Sequence, residues 1–180
     1  MLVDINELRE RNGPLFIETD FGDQELKLRN HVMALQRPVR SELRVSLSGD
    51  QVLVVGEVRA DLQVVCCRCL KPFRRRIRKG FEVEYWPDPA VEAEGEEFGL
   101  TYMDLVIGFY RNDQLDVSAV ISEQIVLEMP MKPVCQEACK GLCDQCGADL
   151  NEGNCDCQPR SVDPRLAVLL DVKKRLSKEK

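Results

Sequence analysis

Nine cysteines are the residues in this 180-residue chain best suited to chemistry, and they are clustered. Cys66, Cys67 and Cys69 form one group; Cys135, Cys139, Cys143, Cys146, Cys155 and Cys157 form the other. At about 5% of the chain, cysteine stays below the roughly 8–10% of disulfide scaffolds. The first eleven residues already carry Asp4, Glu7, Arg9, Glu10 and Arg11, which is no signal peptide. The expectation is a cytoplasmic chain with reduced thiols, and clustered reduced thiolates most often hold a metal.

Within the later group, Cys143-x-x-Cys146-Gly147 has the spacing of a zinc knuckle. Two intervening residues let backbone amides point at both sulfurs, and the glycine lets the turn tighten. Cys155 and Cys157 complete four ligands; Cys135 and Cys139 are then spare, or displace one of that pair. The residues around these six are Gly, Asn, Asp and Lys, too polar to bury unligated thiols. Six thiolates with no neighbouring base favour a structural Zn²⁺ over a catalytic one.

Cys66-Cys67-Arg68-Cys69 contains a second C-x-x-C. Three readings compete: a half-site sharing a zinc with Cys143 and Cys146, a dithiol redox pair, and ordinary strand-end cysteines. The redox reading lacks the βαβ setting of thioredoxin-like motifs, because the pattern after Cys69 keeps period two. Between Arg68 and Lys79 lie seven basic residues and no acidic one. On a strand, Arg74, Arg76 and Arg78 project opposite Phe73 and Ile77. With Arg68, Lys71 and Lys79 they are candidate RNA contacts, since arginine forks suit phosphate oxygens. The competing reading is a solvated face neutralised by the acidic stretch Glu82 to Glu97. The lone histidine, His31, has no ligand-type neighbour and reads as structural.

The elements that must position these residues are legible in part. Asp4 caps a short helix, with Glu7 completing a capping box and Gly13-Pro14 stopping it. From Ser41 the period is two: Leu43, Val45 and Leu47, a turn at Gly49-Asp50, then Val52 and Val54. Gly56 reads as a bulge where the alternation shifts before Val58, Ala60, Leu62 and Val64. Phe73, Ile77, Phe81, Val83 and Tyr85 form a third run, giving an antiparallel meander with one buried face. Eight acidic residues and no basic one lie between Glu82 and Asp104, so an acidic loop is expected near 87–99. Val117, Val120, Ile121 and Ile125 have helical spacing after Asp116, closed by Pro130 and Pro133. Asp163-Pro164 opens a last helix with Leu166, Leu169 and Leu170.

Taken together, this is an α+β chain: an antiparallel β-meander or partly closed sheet with a C-terminal cysteine-knuckle and helix lobe. The expected parts are 1–114, with the acidic loop, and 115–180, with the cysteine segment at 135–157. The longest run without Asp, Glu, Lys or Arg is seven residues, Asn30 to Gln36, so no spanning helix is expected. A net charge of −6 argues against bulk polyanion binding.

Cys66-x-Arg68-Cys69-Leu70-x-Pro72-Phe73, Leu127-x-x-Pro130, Cys139-Lys-Gly-Leu-Cys143-x-x-Cys146-Gly147-x-x-Leu150-Asn151 and Asp163-Pro164-Arg165, in this order, resemble the bacterial and plastid YceD family. The resemblance implies a cytoplasmic, non-catalytic factor for accumulation and maturation of large-subunit ribosomal RNA. The implied partner is that RNA or a large-subunit ribosomal protein. The alternatives are a protein-only factor docking a ribosomal protein through its acidic segment and, remotely, a dithiol oxidoreductase at Cys66 and Cys69.

Overall fold

The computed structural model describes residues 1–11, 13–28, 32–88, 107–157 and Leu169. His31, the acidic run from Glu92 to Asp104 and the helix opened by Asp163-Pro164 lie outside the described residues. In chain order the elements are β1 (Leu2–Asp4), α1 (Ile5–Glu10), β2 (Leu15–Phe21), α2 (Asp23–Leu26), β3 (Met33–Leu35), β4 (Val39–Ser48), β5 (Gln51–Val65), β6 (Pro72–Pro87), β7 (Gly108–Tyr110), β8 (Gln114–Asp116) and α3 (Val117–Leu127). The class is α+β, mostly strand, as the periodicity predicts.

The main sheet is open, with strand order β2-β4-β5-β6-β7 and β3 paired to the end of β5. All its pairings are antiparallel except the short β6–β7 contact. Ser48 and Gln51 pair across the predicted turn, where Gly49 takes φ +62°. Along β5, Val52, Val54, Val58, Ala60, Leu62 and Val64 are all buried. These are all even-numbered, so the alternation runs unbroken through Gly56. The expected bulge is absent: Gly56 pairs in register with Leu43 on one side and Phe81 on the other. The glycine answers a different need. A Cβ there would lie 2.5 Å from the Glu42 carbonyl oxygen and from a Leu43 methyl, so only a bare backbone fits.

Val39, Leu43 and Val45 of β4, and Ile77 and Tyr85 of β6, point to the same side as the even residues of β5. α3 covers that side with Val117, Val120, Ile121 and Ile125, which belong to the same buried cluster. Asp116 caps α3 by accepting from the Ser118 amide at 3.0 Å, and Asp4 caps α1 by accepting from Asn6 at 2.8 Å. The β2 strand was not legible as an element. Leu15, Ile17 and Phe21 do turn inward there, but Thr19 breaks the apolar alternation, which kept the run from standing out.

The chain divides into two compact units, Met1–Cys139 and Lys140–Lys180. α3, which the sequence groups with the cysteine segment, contributes to the core of the first unit. The second begins with a loop closed by Leu150 N–H donating to the Gly141 carbonyl at 2.9 Å.

Gly56→Val should destabilise the first unit by about 1–3 kcal/mol or more through overpacking. Gly80→Ala should be tolerated, since its Cβ would meet nothing nearer than 3.9 Å. Urea melts of both variants check the contrast, and equal midpoints would contradict the close approach of β4 at Gly56.

Candidate metal centres and nucleic-acid interface

β5 ends where Cys66 continues its buried face, and the chain turns tightly before β6. Cys66 N–H donates to the Lys71 carbonyl at 3.0 Å, and Leu70 N–H returns to the Cys66 carbonyl at 3.0 Å. The Arg68 amide points at Cys66 Sγ, 3.4 Å away. Leu70 takes the left-handed conformation at φ +58°, which costs a non-glycine residue about 1–2 kcal/mol. This turn presents Cys66 and Cys69 on one side.

The segment after α3 brings two more cysteines to it. Cys67 N–H donates to the Pro133 carbonyl at 2.8 Å. Arg68 Nη1 donates to the Glu137 and Cys139 carbonyls at 3.0 and 2.8 Å. Cys66 Sγ then lies 3.9 Å from Cys139 Sγ, and Cys69 Sγ 3.8 Å from Cys135 Sγ. All four sulfurs lie within 4.8 Å of one another. Sulfurs at the corners of a tetrahedron about 2.3 Å from a common centre stand about 3.8 Å apart, whereas a disulfide needs about 2.05 Å. No cysteine is in a disulfide. Cys66, Cys69 and Cys139 are almost fully buried.

The second unit repeats the turn. Cys143 N–H donates to the Ala148 carbonyl at 2.8 Å, Gly147 N–H to the Cys143 carbonyl at 2.9 Å, and Gln145 N–H points at Cys143 Sγ at 3.5 Å. Gly147 takes φ +74° where the first knuckle has Leu70. Cys143, Cys146, Cys155 and Cys157 form the second quartet within 4.8 Å. Each quartet is complete within one unit. The partners of Cys66 and Cys69 are therefore Cys135 and Cys139, rather than Cys143 and Cys146 as a shared site would need. Cys135 and Cys139, which the sequence leaves as spare or as substitutes for one of Cys155 and Cys157, complete the first set. Sequence spacing had no means of joining cysteines 66 positions apart; the matching C-x-x-C turns were the visible signal.

Four thiols so close cannot all ionise without a cation. Burial pushes the Cys66 thiol up, but amides of Cys69, Cys135 and Arg68 aimed at its sulfur outweigh this and bring it to about 6. The Cys146 and Gln145 amides bring Cys143 to about 6. Burial and the neighbouring thiols push Cys135 up to about 12. The Cys146 thiol and burial push Cys157 up to about 12. Each set thus holds one readily formed thiolate and one that resists a further negative charge, a donor set that could hold a metal ion.

The candidate RNA residues fall in three places. Arg74, Arg76 and Arg78 stand on the exposed face of β6, opposite Phe73 and Ile77. Arg68 is engaged in clamping the Glu137–Cys139 turn, and Lys79 turns to the α3 side, 3.2 Å from Glu128. Lys71 is exposed in the first knuckle. The arginines are met by carboxylates of the adjacent strand: Arg74 and Arg76 lie 2.7 and 3.5 Å from Asp61, and Arg78 2.8 Å from Glu57. Hydrogen bonds from Arg59 and Arg78 hold Glu57 below the usual carboxylate range, and Arg74 does the same for Asp61. The sequence signal missed here was the alternating charge on β5, Glu57, Arg59 and Asp61. Among the described residues, no helix is long and apolar enough to cross a membrane.

Residues 54–173 match the family model described as large ribosomal RNA subunit accumulation protein YceD. An uncharacterized protein of Mycobacterium tuberculosis is 31% identical over 177 residues, covering 96% of this chain and 81% of its own. A chloroplastic large ribosomal RNA subunit accumulation protein YCED homolog 1 of Zea mays is 28% identical over 147 residues, covering 69% of this chain and 50% of its own. The Arabidopsis thaliana protein of the same description is 24% identical over 162 residues, covering 79% and 50%. No solved structure matches the chain.

Protein purified under reducing conditions should carry about two metal ions per chain, one for each quartet. Cys143→Ser/Cys146→Ser should lose one ion and leave the sheet unit's melting unchanged; Cys66→Ser/Cys69→Ser should lose one and lower it. Ligating thiols must be deprotonated, and the lowest lie at about 6. Binding should therefore persist at neutral pH and fail as pH drops below about 6, where protons displace the metal. Elemental analysis across a pH series checks both.

Proposed function

The chain belongs to the YceD family, and from that membership we propose that it is a non-catalytic cytoplasmic factor promoting accumulation and maturation of large-subunit ribosomal RNA. The observation that carries the reading is the family match across two thirds of the chain, together with the named role of its plant relatives. Zn²⁺ is the ion that best suits both quartets, because four thiolates in a tetrahedron are its preferred structural set. Four protein ligands leave no open position for a substrate or water, which supports a structural role. The first ion would tie the β5–β6 turn to the chain beyond α3, and the second would hold the small unit. A dithiol oxidoreductase fits poorly, since each thiol has three sulfur neighbours and the turn leads into a strand.

RNA contact is assigned to Arg74, Arg76 and Arg78. Arg76 and Arg78 remain 77% and 71% exposed despite their carboxylate neighbours. Exposed ion pairs are weak and screened by salt, and a guanidinium with five donors can hold a carboxylate and a phosphate together. The carboxylates hold the side chains in place and temper non-specific binding. Their presence also favours one other reading, in which the face meets protein alone and a basic ribosomal protein binds the acidic residues; capture insensitive to nuclease would identify it.

Arg74→Gln/Arg76→Gln/Arg78→Gln removes the charges without setting new carboxylates beside Glu57 and Asp61. Binding of single-stranded large-subunit rRNA fragments should weaken, and the log–log salt slope should become shallower by about 2, at roughly 0.7 per phosphate. Filter binding across a salt series measures this, and a variant matching the parent in affinity and slope would remove these arginines from the interface.

A further inference from the structure

The strand register sets charges on the outer sheet face in transverse rows that no single strand reveals. Arg40 of β4, Arg59 of β5 and Arg78 of β6 stand directly opposite one another, with Asp20 of β2 opposite Arg40 at the end of the row. Two residues away along the strands, Glu18, Glu42 and Glu57 form an equally aligned row. Like charges directly opposite destabilise a sheet, and here the glutamates offset the cost from one side. Arg40 lies 2.9 Å from Glu18, Arg59 2.5 Å from Glu57 and Arg78 2.8 Å from Glu57.

On the other side of the arginine row lies a groove of about 580 Å³. Arg37 and Arg76 join the three there, and Pro38 and Ala60 are among its other lining residues. Five arginines and two acidic residues, Asp20 and Asp61, line it, while Glu18, Glu42 and Glu57 hold Arg40, Arg59 and Arg78 from the other side. Arg78 hydrogen-bonds Glu57 through Nε, and Arg76 approaches Asp61 by Nε. Neither donates a hydrogen bond from its terminal Nη atoms among the described residues. Those atoms form the fork that suits a phosphate.

We infer that this groove, lined by Arg37, Arg40, Arg59, Arg76 and Arg78, is a binding site for the phosphodiester backbone of single-stranded RNA crossing β4, β5 and β6. The inference rests on the RNA-contact reading above and deepens it by adding Arg37, Arg40 and Arg59. Adjacent strands are about 4.8 Å apart, so the row offers guanidiniums at short, regular intervals across the sheet. Its volume falls in the range of small-ligand sites, room for a short stretch of one strand. Contacts made by guanidiniums to phosphates carry no base information, so the site is tolerant of sequence.

The test uses the full-length, metal-loaded protein with Arg37→Gln/Arg40→Gln/Arg59→Gln, and with Arg44→Gln as control, since Arg44 is on the same face outside the groove. A single-stranded RNA dodecamer, the same RNA as a duplex, and a nucleoside triphosphate are titrated across salt. The triple variant should lose about tenfold or more in dodecamer affinity and about 2 in salt slope. Arg44→Gln should match the parent, and the duplex and triphosphate should bind the parent much more weakly. Thermal melts monitor folding. If the triple variant melts early, Arg37→Gln alone, which removes no ion pair seen among the described residues, should still shorten the slope by about 0.7. Unchanged dodecamer affinity and slope in these variants overturn the groove while leaving the β6 arginines standing. A parent that binds no RNA overturns both readings. Equal binding of duplex, or triphosphate binding alone, overturns the single-strand assignment.

Discussion

The unbroken alternation of β5 is the constraint on which the rest of the first unit depends. Its even-numbered side chains, Val52, Val54, Val58, Ala60, Leu62 and Val64, are buried in the core with residues of β2, β4, β6 and α3, and its odd-numbered residues face outward. A slip of one residue would exchange the two sets. With the register fixed by burial, Glu57, Arg59 and Asp61 must lie beside the arginines of β4 and β6. The same parity carries Cys66 to the buried side at the strand's end, where the first knuckle begins. The charged face and the first sulfur cluster are thus set by one hydrophobic pattern.

The two knuckles solve the same problem in different surroundings. Both close with the same pair of backbone hydrogen bonds and aim an amide at the first sulfur. In the second unit glycine supplies the left-handed residue. In the first, Leu70 adopts it at a cost, sustained by a turn pinned between β5, β6 and the Cys67–Pro133 hydrogen bond. Three of the first quartet's sulfurs are buried, while among the described residues of the second unit Cys143 is the buried one of its quartet.

The arginines also read differently once their neighbours are known. Seven basic residues and no acidic one among the twelve from Arg68 to Lys79 suggest a positive stripe. In three dimensions, alternate residues point to opposite sides, Arg68 is drawn into the first knuckle, and Lys79 meets α3. Arg74, Arg76 and Arg78, on the outer face of β6, are partnered by β5 carboxylates. An overall charge of −6 and a cluster of outward arginines coexist because carboxylates of the same face stand beside the guanidiniums.

Local patterns in the sequence determined the meander, the caps of α1 and α3, the Gly49-Asp50 turn and the second knuckle, because each depends on contacts within a few residues. The 23-residue span from Cys135 to Cys157 contains a complete four-thiol set on its own spacing. Tertiary structure alone decided that Cys135 and Cys139 join Cys66 and Cys69, since bringing together cysteines 66 positions apart needs the sheet and α3 between them. It alone decided that Gly56 marks a close strand contact in place of a bulge, because the obstruction comes from β4. The alignment of Arg40, Arg59 and Arg78 was hidden for the same reason: opposition across strands is a property of hydrogen-bond register, which no single strand encodes.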